Sequence, residues 1–128
     1  MSDTLPSNRT LCLRVPAMPA HTNAGGDIFG GWIMAQIDIA GSLPAVQRAA
    51  GNVVTVAVNR MRFIRPVRAG DMVSVYADVT AVGRTSMTVD LEVYVQRNPE
   101  APAIVFVADA QLVYVAVDQQ GQPRPVEG

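Results

Sequence analysis

The residues best suited to chemistry lie in one short stretch: His21, Asn23, Asp27 and the glycine pairs Gly25-Gly26 and Gly30-Gly31, just ahead of a long apolar run that begins at Trp32. Backbone N–H groups at a helix start lack partners within the first turn and present positive potential, and glycine there lets a ligand approach closely. An ester or thioester carbonyl pointed at such amides is polarised, and its oxyanion is stabilised. Asp27 adds a carboxylate able to activate water or to attack the carbonyl itself. The same residues allow a plainer role, with Asp27 capping the helix or its leading turn. Asn23 suits an Asx turn. His21, the only histidine, reads as a loop hydrogen-bonder, because no partner for a catalytic histidine is evident.

Other catalytic sets fail on inventory. There is no Gly-x-Ser-x-Gly elbow and no phosphate-cradling or dinucleotide glycine pattern. One histidine and one cysteine do not make a zinc site. Cys12 is a packed small side chain, with nothing nearby to activate it. Asp38 is a second carboxylate of note, an acid in the most apolar stretch, where it must be hydrogen-bonded or functional; it reads as structural or as support for the site. Arg60, Arg62, Arg65, Arg68 and Arg84 are either a solvated sheet rim or a clamp for a small anionic ligand. All ten basic residues are arginine, which suits bidentate phosphate contacts but also fits simple compositional bias.

The elements that must position these residues follow from the pattern. At 128 residues the chain is expected to be one domain, with 49% hydrophobic residues and a net charge of −1, so no broad basic face for nucleic acid is present. A single cysteine excludes an internal disulfide, no apolar run approaches the roughly 20 residues of a membrane span, and the first residues lack a signal-peptide layout. A cytoplasmic location is the expectation. A short strand covers Thr10 to Val15. A helix runs from about Gly30 to Ala50 with Gly51 as its stop and its first half buried, and Pro44 predicts a kink or a break. Strands then follow at Val53–Ile64 (covered on both faces), Met72–Ala81, Met87–Gln96 and Ile104–Val117, with turns at 68–71, at Gly83 and at 98–102. Residues 1–9 and 119–128 read as loose tails. This order makes an α+β domain, an antiparallel sheet curling around one helix, and its surplus of apolar strand faces argues for an oligomer.

The segments Met18-Pro19, Thr22-Asn23, Gly26-Asp27-Ile28-Phe29-Gly30-Gly31-Trp32-Ile33-Met34 and Gln36-Ile37-Asp38 resemble the YciA-like acyl-CoA thioesterases of the hot-dog fold. So do Val53-Val54-Thr55-Val56, Phe63-Ile64-Arg65-Pro66-Val67, Gly70-Asp71, Gly83-Arg84-Thr85-Ser86 and Tyr114-Val115-Ala116-Val117-Asp118. The resemblance implies a curved antiparallel sheet of five to six strands around one long helix. It implies hydrolysis of acyl-CoA to a free acid and CoA without metal or bound cofactor, CoA being part of substrate and product. It assigns the essential acid to Asp27, as general base or nucleophile, and carbonyl polarisation to the amides around Gly30 and Gly31. Arg65 and Arg84-Thr85-Ser86 suit the CoA phosphates, with Asn23 also at the substrate. It further implies a homodimer with the active site at the subunit interface, assembled into a trimer of dimers or a tetramer. His21, Pro44, Asn52 and Asn59 depart from the family pattern. The competing reading is a non-catalytic acyl-CoA or ligand-binding hot-dog protein; a hot-dog dehydratase would want a histidine base.

Overall fold

The computed structural model describes residues 3–98, 100 and 103–127. Strand β1 (Leu11–Pro16) leads through a 3-10 turn, Pro19–His21, and a loop into helix α1 (Gly30–Ala49). Four strands follow: β2 (Val53–Phe63), β3 (Met72–Val82), β4 (Ser86–Arg97) and β5 (Ala103–Ala116). They form one antiparallel sheet in the order β1-β3-β4-β5-β2. Alternation in β4 is clean, with Met87, Val89, Leu91, Val93 and Val95 buried. These side chains and their β3 and β5 neighbours meet Ile33, Ile37, Ala40, Ala45 and Ala49 of α1. The helix thus covers one face of the sheet, as the pattern requires.

Pro44 does not break the helix. α1 runs unbroken past it and closes at Ala50, whose left-handed φ of 52° lets its N–H reach the Gln47 and Val46 carbonyls; the stop comes one residue before Gly51. A proline costs the helix one hydrogen bond, and burial of Ala40 and Ala45 holds the turn around it. The first half of α1 is buried on one face only: Met34, Ile39 and Leu43 are exposed. Strand β2 is likewise not covered on both faces, since it is the edge of the sheet, and Val54, Val56 and Val58 are 43%, 55% and 51% exposed.

The described parts of the two tails are not loose. β5 extends beyond the stretch that β2 pairs, and the N-terminal segment satisfies part of the remainder. The Asp3 N–H donates to the Ile104 carbonyl, and its carboxylate accepts the Phe106 N–H at 2.7 Å. At the other end the chain turns at Gly121 (φ +78°) and doubles back. Arg124 then donates to the Ala49 carbonyl at the helix C-terminus, 2.7 Å away, and Val126 is buried. The turn at 98–102 lies partly outside the described residues; Asn98 itself takes φ 62°.

Two carboxylates brace the frame. Asp71 is 2% exposed and accepts Arg97 Nε at 2.9 Å, Arg97 Nη2 at 2.8 Å and the Arg68 N–H at 2.9 Å. The pair fixes the 66–71 turn, because Arg97 also reaches the Pro66 carbonyl at 3.3 Å. On the other side of the sheet Asp109 joins β5 to the edge strand through Arg62 and Arg60. The hydrogen bonds from Arg62 hold the Asp109 carboxyl below its ordinary range, outweighing the opposing effect of burial, and Arg60 adds to them.

Truncating Arg97 to alanine strands a buried carboxylate, and we expect a loss on the order of 3 kcal/mol in urea unfolding, partly recovered by Arg97→Lys. For Asp109 the folded-state pKa lies below the unfolded one, so its contribution is present above the ordinary aspartate value near ~3.9 and fades as pH falls through the lower folded value. The stability gap between wild type and Asp109→Asn should therefore be constant at neutral pH and narrow below about pH 4.

Candidate active site

The loop before α1 is built on Asn23. Its Oδ1 accepts the Gly25 N–H at 2.9 Å and the Asp27 N–H at 3.2 Å, the expected Asx turn, and its own N–H donates to the Asp27 carbonyl at 2.7 Å. Gly26, at φ +90°, makes the reversal. Asp27 then bridges to Arg68, and the Ile28 N–H bonds the Val67 carbonyl at 2.9 Å. The loop carrying Asp27 is thus pinned to the turn held by Asp71 and Arg97. The capping role for Asp27 does not hold: the N-cap is Phe29, with no side-chain cap. The Asp27 carboxylate makes no hydrogen bond or ion pair among the described residues. It lines a cavity of about 330 Å³ with Asn23, Gly30, Phe63 and Arg65. Among the described residues His21 makes no hydrogen bond through its ring. Its imidazole stacks on Trp32 with centroids 5.0 Å apart, and Nδ1 is buried without a partner among the described residues.

At the helix start, the Trp32 and Ile33 N–H groups both turn back to the Phe29 carbonyl, while those of Gly30 and Gly31 have no partner among the described residues. Both glycines are exposed. A Cβ on Gly31 would meet nothing within 4 Å, so nothing in this chain excludes a side chain there.

A second groove of about 290 Å³ opens on the other side of this helix start, between α1 and β2. Gly31, Met34, Ala35, Val58, Met61 and Leu112 line it, and Asp38 and Thr55 supply its polar end. Gly31, Ala35 and Asp38 fall on one helix face by their spacing. Asp38 is not buried; it sits at the open side of α1 and is held from below. Thr55 Oγ1 donates to its Oδ1 at 2.7 Å. The Tyr114 hydroxyl lies 2.8 Å from the Asp38 carbonyl and 3.1 Å from Oδ1. Thr55 and Tyr114 are direct cross-strand partners, so β2 and β5 aim two hydroxyls at one carboxylate. Burial, with the charge of Asp38 adding to it, pushes the Tyr114 phenol far up, so it stays a donor. Neither Thr55 nor Tyr114 is singled out from the sequence as a site residue, because only the strand register brings them together.

The residues expected to bind CoA do not meet within one chain. Arg65 lines the Asp27 cavity and donates to the Phe106 carbonyl at 2.8 Å. Thr85, beside Arg84 and Ser86, accepts the Ala116 N–H at the opposite end of β5, roughly 30 Å along the strand. Burial pushes the Cys12 thiol up, against activation. Among the described residues no three His, Cys, Asp or Glu side chains converge, and no helix is long and apolar enough to cross a membrane.

A family model described as the thioesterase superfamily matches residues 25–101. The chain belongs to the thioesterase superfamily. Acyl-CoA thioester hydrolase YciA of Escherichia coli (strain K12) is 49% identical over 121 residues, covering 91% of this chain and 92% of that one. The hexameric thioesterase y2039 from Yersinia pestis superposes with a TM-score of 0.88 at 46% identity, covering 97% of this chain and 99% of that one. An acyl-CoA hydrolase from Staphylococcus aureus, solved with an aspartate and, 17 residues further on, a threonine each replaced by alanine, gives a TM-score of 0.80 at 27% identity over 88% of this chain and 69% of that one. This thioesterase is therefore a member of the acyl-CoA thioester hydrolase family, and its sheet around one helix is the hot-dog fold that the sequence motifs imply.

The thioesterase thus has two amides without a partner among the described residues, between two cavities that each hold a carboxylate. Adding a Cβ at Gly31 probes the amides directly. Since Gly31→Ala meets no protein atom and gains helix propensity, its thermal midpoint should equal or exceed that of the wild type. Thioester turnover should fall at least about tenfold as the methyl displaces the carbonyl from the amide.

Proposed function

We propose that this chain hydrolyses acyl-CoA thioesters, with the carbonyl oxygen against the Gly30 and Gly31 amides, the acyl chain in the groove of Met34, Val58, Met61 and Leu112, and Asp38 as the general base. The observation that carries this reading is the convergence of Thr55 and Tyr114 on Asp38. A carboxylate held by two hydroxyls keeps one orientation, which is what proton abstraction from water needs. Asp38 lies seven residues beyond Gly31, about 10 Å along the helix axis. That span accommodates an amide hydrogen bond, a carbonyl and one attacking water, and favours general-base over nucleophilic attack. The spacing adds support: Asp38 and Thr55 are 17 residues apart, as are the aspartate and threonine replaced in the Staphylococcus aureus hydrolase.

Asp27 supports a second reading, in which it is the essential acid. Its carboxylate is unengaged among the described residues and faces the cavity beside Gly30. Against it stands positioning, since no hydrogen bond among the described residues orients the Asp27 carboxylate, whereas Thr55 and Tyr114 orient that of Asp38.

The remaining substrate contacts follow from assembly. Strand β2 is an open edge with exposed Val54, Val56 and Val58, and such an edge is suited to pairing with another copy. A homodimer joined there, with its active sites at the subunit interface, closes the groove beside β2 and accounts for the separation of Arg65 from Arg84, Thr85 and Ser86, which then bind the CoA phosphates from different chains. A trimer of dimers fits the hexameric relative. The proposed steps use only side chains and amides of this protein, with CoA as the leaving group, in the cytoplasm.

Thiol release from acyl-CoAs of graded chain length tests the activity. Asp38→Asn should lower kcat by about a hundredfold or more, while Asp27→Asn should act chiefly on KM. Loss of turnover confined to Asp27→Asn would transfer the essential role to Asp27. CoA binding without thiol release from any substrate would make the protein a binding module.

A further inference from the structure

Gly41 and Tyr114 stand out because each is explained only by the other. Tyr114 is fully buried, yet its hydroxyl crosses under α1 to reach the Asp38 carbonyl and carboxylate. It passes the helix at Gly41, three residues beyond Asp38. A Cβ at Gly41 would collide with the phenol oxygen and meet Cε1 and Cζ at 3.2 Å. All three atoms belong to a side chain locked in the core, so they cannot step aside cheaply. Glycine inside a helix costs roughly 1 kcal/mol relative to alanine. The close approach of a tyrosine gives that cost a reason.

A buried phenol needs a partner. The Asp38 backbone carbonyl alone would satisfy it, but Oδ1 also lies 3.1 Å away. The hydroxyl therefore ties the carboxylate to its own helix turn from the core side, while Thr55 holds the same oxygen from β2. Oδ1 is taken up by these hydroxyls, and no hydrogen bond to Oδ2 is made by any described residue. The division leaves one oxygen without a partner among the described residues, on a side chain that lines the groove.

From this geometry we infer that Tyr114, admitted by Gly41, is a positioning residue that fixes the Asp38 carboxylate so that Oδ2 addresses the thioester. The inference rests on Asp38 being the base. It assigns Tyr114 no contact with substrate, only with Asp38. Met34, Met61 and Leu112 shape the groove independently of it.

The test is a double-mutant cycle on the assembled full-length protein with one acyl-CoA. Tyr114→Phe removes a single oxygen, and circular dichroism and the thermal midpoint verify its fold. The expected result is a fall of about tenfold in kcat with KM unchanged, and no further fall when Tyr114→Phe is added to Asp38→Asn. Gly41→Ala should reproduce the kcat loss. Wild-type kcat in Tyr114→Phe, or an equal further loss in the Asp38→Asn background, would overturn the positioning role while leaving Asp38 as base. Wild-type turnover in Asp38→Asn would instead overturn the base assignment, and the positioning role with it.

Discussion

The packing of α1 against the inner face of the sheet is the contact on which everything else in this molecule depends. A helix with Ile33, Ile37, Ala40, Ala45 and Ala49 buried along one face is fixed in rotation by that face. Its rotation determines where Gly30, Gly31 and Asp38 point. The N-terminus lacks a side-chain cap, so its first amides stay available. In most helices such amides are satisfied by a capping side chain; here Asn23 spends its oxygen on the loop instead, and two glycine N–H groups are left for a ligand.

The sheet contributes more than a wall. Thr55 and Tyr114 face each other across the β2–β5 ladder, and register shifts in β2 follow directly after Thr55 and again at Val58. Bulges of this kind re-aim side chains beside functional sites. The core side of the site is therefore set by buried residues of β5, while its open side is the edge strand. This asymmetry suits a thioesterase, which must hold its reacting groups still and yet admit and release an acyl chain.

Much of the architecture was legible from period alone. The shift from helical spacing to alternation after Gly51, and the turns at Gly70 and Gly83, mark the elements within a residue or two. Burial was less legible, because composition does not say which strand is the edge. Val54, Val56 and Val58 read as core and are exposed in the single chain. The Asx turn at Asn23 was readable because it is local. The hold on Asp38 was not, since it links residues separated by 17 and by 76 positions, and the sequence leaves Asp38 only as an oddity within an apolar stretch. The contacts of the tails are hidden for a related reason: Arg124 stands between Pro123 and Pro125 and Asp3 between Ser2 and Thr4, yet each answers a backbone group left open elsewhere, at the end of α1 and on β5.

The most direct test of the account is a crystal structure with a non-hydrolysable acyl-CoA analogue in which the thioester carbonyl is retained. The carbonyl oxygen should lie within hydrogen-bonding distance of the Gly30 or Gly31 amide, with the acyl chain along Met34 and Met61 and a water between the carbonyl carbon and Asp38. A thioester bound away from the helix start, or seated with Asp38 facing solvent and Asp27 against the carbonyl carbon, would contradict it.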